Sequence, residues 1–262
     1  MTDKYSKEIR STVTSEGNIE LSITKVLVPT PTDDEVLIEV HAAPISPSDL
    51  ALLITFGGDL ANINISGSGE NTVASMKVHP AMMKSMKSRL DQAMPAGNEG
   101  AGVVVDAGSN VKHLNGKTVG LAGGAMYSQY ICVPAVNCLV MDDETTPAEA
   151  ASSFVNPMTA LSFVETMKME NHSGIVNTAA ASNLGQMLVK ICNDDDIPLV
   201  NIVRTQEQVD LLKNIGAKYV CNTSEENFKE TLVTALIETG ATLGFDATGG
   251  GNNGELPGQI LA

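Results

Sequence analysis

GIVNTAAASNLGQMLVKICNDDDIPLVNIVR (174–204) reads as an apolar strand, a turn of small residues, a helix and a second apolar strand. The alternation continues beyond it. TQEQVDLLKNIG (205–216) is a helix, AKYVCNT (217–223) a strand, SEENFKETLVTALIETG (224–240) a helix and ATLGFDATGG (241–250) a strand. Strands that alternate with helices in this way form a parallel sheet covered on both faces, so the expected fold class is α/β and doubly wound. Thr205 with Gln208 forms a capping-box pattern, and Gly216 sits where a helix C-cap belongs. The acidic run Asp194–Asp196 reads as a solvated loop.

Upstream of about residue 156 the period changes. STVTSEGNIELSITKVLVP (11–29) suggests a hairpin, and DEVLIEVHA (34–42) alternates through Val36, Ile38 and Val40. NEGAGVVVDAGSNVKHLNGKTVG (98–120) and YSQYICVP (127–134) add valine-rich strands between glycine turns. Two domains follow: residues 1–155, mostly β, and 156–262, strand and helix in alternation. Residues 57–94 stand apart, with Met76, Met82, Met83, Met86 and Met94 near Lys77, Lys84, Lys87 and Arg89. They read as an inserted loop and a short basic amphipathic helix, whose methionines either pack on the body or form a mobile cover. The last residues, GELPGQILA (254–262), begin another helix after the fourth strand, which suggests that the second domain is incomplete.

With 31 acidic against 16 basic residues the net charge is -15, which repels a nucleic-acid backbone and an anionic membrane surface. No apolar stretch is long enough to span a bilayer, and MTDKYSKEIR lacks the apolar core of a signal peptide, so a soluble cytoplasmic protein is expected. Cys132, Cys138, Cys192 and Cys221 show neither a CxxC pair nor zinc-ribbon spacing, and reduced thiols fit them.

Ala181, Ser182, Asn183, Leu184 and Gly185 form the turn that opens the first helix of the α/β part. Free N–H groups and the positive end of the helix dipole favour an anion there, such as a dinucleotide pyrophosphate. The glycine pattern is A-x-x-S-x-x-G (Ala179, Ser182, Gly185) rather than GxGxxG, a weak motif by itself. Nineteen residues after Gly185, where a carboxylate would hold the ribose hydroxyl of NADH, stands Arg204. A guanidinium forks onto a 2′-phosphate, so NADPH is the expected cofactor.

PAGNEGAGVVVDAGSNV (95–111), FVNPMTALSFVETMK (154–168) and TAAASNLGQ (178–186) together resemble the medium-chain dehydrogenase/reductase superfamily. APISPSDL (43–50), GNEG (97–100), NPMTA (156–160) and VNIVR (200–204) most resemble its zinc-independent 2-enoyl thioester reductases and quinone oxidoreductases. The resemblance covers nearly all of residues 10–262 except the insertion. It implies a GroES-like catalytic domain followed by a Rossmann-type NADP-binding domain, and a homodimer when the chain is full length. It maps the nicotinamide end to Asn156 and Thr159, the phosphate turn to Ala181, Ser182, Asn183 and Leu184, and the 2′-phosphate contact to Arg204 with Thr205 and Gln206.

Where the zinc-dependent branch has a catalytic Cys and His, this chain has Ser46 and Asn98, and His41, His79, His113 and His172 show no paired spacing, so no metal is expected. The resembled proton-donating Tyr falls at Phe56 or Gly57, neither of which can donate a proton. Tyr127 and Tyr130 are candidates to replace it. The implied reaction is hydride transfer to an enoyl thioester or enone. Ser46, Asn156 and Thr159 then surround the carbonyl, and Tyr127 or water supplies the proton. Quinone reduction and NADPH binding without catalysis are the alternatives.

Overall fold

The computed structural model describes residues 4–54 and 58–248 and divides after Val155 into two compact units, Met1–Val155 and Asn156–Ala262.

The first unit is built from β1 (Tyr5–Val13), β2 (Asn18–Leu27), β3 (Glu35–Ala42), α1 (Pro47–Ile54), β4 (Asn64–Ser66), β5 (Val73–Lys77), α2 (Pro80–Met83), β6 (Met94–Pro95), β7 (Glu99–Ala107), β8 (Thr118–Ala122), β9 (Tyr130–Pro134), β10 (Leu139–Val140) and α3 (Pro147–Ala150). Two antiparallel sheets result, in the orders β4-β5-β2-β1-β6 and β10-β8-β7-β3-β9. The anticipated hairpin is β1–β2, closed by the Thr14 N–H on the Asn18 carbonyl at 2.8 Å and by Gly17 at φ +80°. Val36 and Ile38 are fully buried against Val104, Val119 and Leu121, which makes the second sheet's inner face the core of this unit.

The insertion departs from its reading. Instead of a loop and an amphipathic helix it lays β5 along β2, from Asn18 opposite Lys77 to Ser22 opposite Val73. An unpaired β2 edge would expose a row of backbone donors and acceptors, and β5 satisfies them. The methionines pack on the body: Met76 is buried with Val13 and Ile19, and Met82, Met83 and Met86 lie against that cluster. The basic helix shrinks to the single turn α2 and a 3-10 turn at Lys87–Arg89. Arg89 turns inward there and donates to the Leu52 carbonyl at 3.3 Å and the Ser11 hydroxyl at 3.0 Å.

The second unit runs α4 (Val155–Met169), β11 (Ile175–Asn177), α5 (Asn183–Asp194), β12 (Leu199–Val203), α6 (Gln206–Asn214), β13 (Tyr219–Asn222), α7 (Phe228–Thr239) and β14 (Leu243–Phe245). Its four strands are parallel in the order β13-β12-β11-β14. Successive strand residues face opposite sides. Ile175 and Val203 pack with Ala160, Leu188 and Leu212 of α4, α5 and α6, whereas Val176, Val200 and Ile202 pack with Phe228, Leu232 and Ala235 of α7. Both faces are therefore covered, as the alternation requires. Gly216 ends α6 at φ +94°, the left-handed conformation expected of it.

Candidate functional site

From β11 the chain moves outward through β12 and β13, then returns to place β14 on the other side of β11. Connections thus leave β11 in opposite directions, and the crevice beyond the carboxyl ends of the strands at such a point is where doubly wound sheets bind ligands. A cleft of about 590 Å³ lies there, lined from the end of every strand: Thr178, Ala179, Ala181 and Ser182 after β11, Ile202 and Val203 on β12 with Arg204 after it, Thr223 after β13, and Ala247 and Thr248 after β14.

The turn into α5 has the features an anion site needs. Ser182 is the N-cap, its hydroxyl accepting the Gly185 N–H at 3.2 Å. A Cβ on Gly185 would stand 2.1 Å from the Ala180 carbonyl oxygen, so glycine alone lets the helix approach the preceding turn this closely. Ala179 takes φ +49°, a left-handed conformation usually left to glycine, and the Ser182 N–H donates back to its carbonyl at 2.9 Å. Asn183, Leu184 and Gly185 form the first turn of the helix, whose remaining N–H groups lack intrahelical partners. On the β14 side, the Thr178 hydroxyl donates to Asp246 at 2.7 Å and accepts the Ala247 N–H at 2.9 Å. Thr178 and Asp246 were not singled out in the sequence, and Gln208 was read only as a capping-box partner. The signal available was their place at strand ends or in a helix's first turn.

Arg204 follows β12 and lines the cleft. Its side chain is exposed, and no carboxylate pairs with its guanidinium among the described residues. The capping box is half formed. The Thr205 hydroxyl accepts the Gln208 N–H at 3.4 Å, but the Gln208 side-chain oxygen Oε1 takes the Arg204 N–H at 2.9 Å instead of that of Thr205. Gln208 therefore holds the Arg204 backbone. Thr205 and Gln206 lie at the start of α6, where the Gln206 amide donates to Asp210 at 2.8 Å. Neither is among the cleft's lining residues. Asn156 and Thr159 occupy the first turns of α4 and are likewise outside the lining.

In the first unit, Ser46 precedes α1, and its backbone N–H donates to Asp49 at 2.8 Å. The other Asp49 oxygen accepts the Asn98 N–H at 2.9 Å, so this buried carboxylate ties α1 to the start of β7. Tyr127 donates its hydroxyl to the Pro44 carbonyl at 2.9 Å, two residues before Ser46. Burial, then the negative charge of Asp49, holds the Tyr127 proton well above the usual tyrosine range. Tyr130 instead donates to Glu39 at 2.6 Å. The buried Glu99 accepts the N–H groups of Phe154 and Val155, at the end of the same unit, at 3.2 and 2.7 Å. Phe56 and Gly57 lie outside the described residues. Among the described residues no three His, Cys, Asp or Glu side chains assemble as a metal-binding group, no helix is long and apolar enough to cross a membrane, and the four cysteines are free.

The chain is 28% identical over 229 residues to the mitochondrial enoyl-acyl-carrier-protein reductase of Xenopus tropicalis, covering 83% of this chain and 56% of that protein. The mouse protein of the same name is 25% identical over 230 residues, covering 85% and 54%. The chain thus spans about half the length of these curated relatives. Among solved structures, one from Mesorhizobium loti named for NADPH:quinone reduction matches with a TM-score of 0.68 and 26% identity over 95% of this chain and 70% of its own. The CurK enoyl reductase matches in fold with a TM-score of 0.68 at 18% identity, covering 94% and 68%. No family model matches. The resemblance to enoyl and quinone reductases carried by the motifs is therefore found again in both sequence and fold.

Proposed function

We propose that this chain is the cofactor-binding and substrate-binding body of an NADPH-dependent oxidoreductase that reduces an activated C=C bond in a 2-enoyl thioester or enone. In this reading unit 1 is the GroES-like catalytic domain and unit 2 the Rossmann-type NADP-binding domain. The observation that carries it is Arg204, without a carboxylate partner among the described residues, lining a switch-point cleft beside the Ser182-capped turn. Similarity to the enoyl and quinone reductases supports the same reaction class.

NADPH, when bound, supplies a hydride for the β-carbon of the substrate. The turn from Ala181 to Gly185 would hold the pyrophosphate against the free N–H groups of α5, and Arg204, with Thr205 and Gln206 beside it, would hold the 2′-phosphate. Asn156 and Thr159 would orient the nicotinamide end, and with Ser46 they would donate to the carbonyl oxygen as it gains charge. Tyr127 keeps its proton across the physiological range, as an acid for the α-carbon must, but has to leave the Pro44 carbonyl to deliver it. That engagement, with the Mesorhizobium loti match, favours quinone reduction as a second reading, because a quinone needs no acid from the protein.

Fluorescence titration with NADPH and NADH, followed by oxidation assays with crotonyl-CoA and a 1,4-quinone, tests the proposal. Arg204→Ala is expected to weaken NADPH binding by about 10- to 100-fold and to leave NADH unchanged, the worth of one charge-assisted contact. Equal loss for both nucleotides would remove the 2′-phosphate role, and saturable binding without turnover would leave a non-catalytic NADPH binder. A cytoplasmic location, expected from composition, and the mitochondrial one of the named relatives are separated by fractionating cells that carry tagged protein. The homodimer is tested by sedimentation.

A further inference from the structure

Asn177, at the end of β11, and Asn201, within β12, are each 1% exposed in the apolar interior of unit 2. Asn177 stands in register between Asn201 on one side and Phe245 of β14 on the other. Side chains alternate along a strand, so both asparagines share the sheet face of Ile175 and Val203, the face covered by α4, α5 and α6.

Each asparagine brings one carbonyl oxygen and two N–H donors into that core. Asn201 Nδ2 donates to the Tyr219 carbonyl of β13 at 3.2 Å, and its Oδ1 has no partner among the described residues. Asn177 has none for Oδ1 or for Nδ2. On the β14 side of Asn177 the Phe245 ring is stacked on Phe163 of α4, with centroids 3.6 Å apart, and supplies neither a carbonyl nor a polar hydrogen. Three polar atoms are thus gathered at one level of the sheet, and burying an amide without a hydrogen bond is costly.

The surroundings restrict what can meet them. The buried cluster on this face, which includes Ala160, Val164, Leu188 and Cys192, contains no charged side chain, so an ion would be stripped of water without compensation. An apolar guest would leave the amides as they are. Neighbouring strands lie about 4.8 Å apart, wider than a direct hydrogen bond and close to the span of one water bonded on both sides. A water that meets two or more polar groups is stably held inside a protein.

We infer that Asn177 and Asn201 together bind one buried water. It donates to Asn201 Oδ1 and bonds the Asn177 amide, as donor to Oδ1 or acceptor from Nδ2. This site is separate from the strand-end cleft but directly beneath it, since Thr178 and Ile202, the next residue on each strand, line that cleft. The water completes the hydrogen bonding of β11 and β12 where the strands end, and it does so whether or not the chain is a reductase.

A crystal structure that resolves ordered solvent tests the site directly, with density expected within about 3 Å of both amides. In solution, isotope-labelled protein should show cross-peaks from the side-chain NH2 groups of Asn177 and Asn201 to a long-lived water, because neither group reaches bulk solvent. Asn177→Leu, similar in size and without a polar atom, should abolish the cross-peak of Asn201, and Asn201→Leu that of Asn177. A crystal in which the two amides bond each other with nothing between them would overturn the inference. So would the absence of both cross-peaks from the unaltered protein, or their persistence in folded leucine variants. Should neither variant fold, the density and cross-peaks of the unaltered protein decide.

Discussion

Ala179 is held at φ +49°, where a side chain crowds its own carbonyl by about 1–2 kcal/mol. It persists because the turn from β11 into α5 must reverse within the residues before Ser182. Replacing it with glycine removes that strain at the cost of a more flexible unfolded chain, so Ala179→Gly should stabilise the protein by about 1 kcal/mol, read as a shift in the urea midpoint. Tyr127 offers a second test. If it is the acid, Tyr127→Phe lowers enone turnover by about 10²-fold or more while NADPH binding and quinone turnover stay as they were. Unchanged enone turnover assigns the proton to water. The position of the turn from β11 into α5 was legible because a small-residue run between an apolar strand and a helix has few alternatives. The strain at Ala179 was not, since alanine carries no sign of left-handed backbone. Asp49 and Glu99 were also silent as buried carboxylates, because Asn98, Phe154 and Val155, whose backbone N–H groups they accept, come from distant segments and nothing in local sequence marks those.

Helix α5 and the turn that follows β11 meet so closely at Gly185 and Ala180 that one methyl group has no room. Gly185→Ala should push the helix from the sheet, cost about 1–3 kcal/mol and abolish nucleotide binding, measured by thermal melting and titration on the same sample. Loss of stability with full binding would show that the cleft tolerates the shift. The parallel sheet was readable at this scale because each helix of the second unit keeps its apolar face at helical spacing, as in Leu188 and Cys192 of α5. The insertion was not. Its methionines satisfy a helical pattern, yet β2 offered an open edge, and pairing with that edge outcompeted a short helix of weak intrinsic stability. Local periodicity cannot report an edge supplied from fifty residues away.

Over the whole molecule, 31 acidic residues against 16 basic ones leave like charges in excess, and the ion pairs that offset them are mostly exposed. Exposed pairs contribute little, so screening removes more repulsion than attraction. Raising salt from low to moderate ionic strength should increase stability by about 1 kcal/mol, or roughly 2–4 °C in Tm, and a fall in Tm would show that the pairs dominate. The placement of the strand-end cleft of unit 2 has a further consequence. Its lining comes from strand ends and the turns after them, and of these only Ile202 and Val203 belong to the buried hydrophobic clusters that hold unit 2 together between sheet and helices. Because Gln208 grips the backbone of residue 204 rather than its side chain, that position is a socket into which other charges can be plugged. Such a body can exchange its ligand preferences one loop at a time and leave its chassis alone, which is what makes it evolvable.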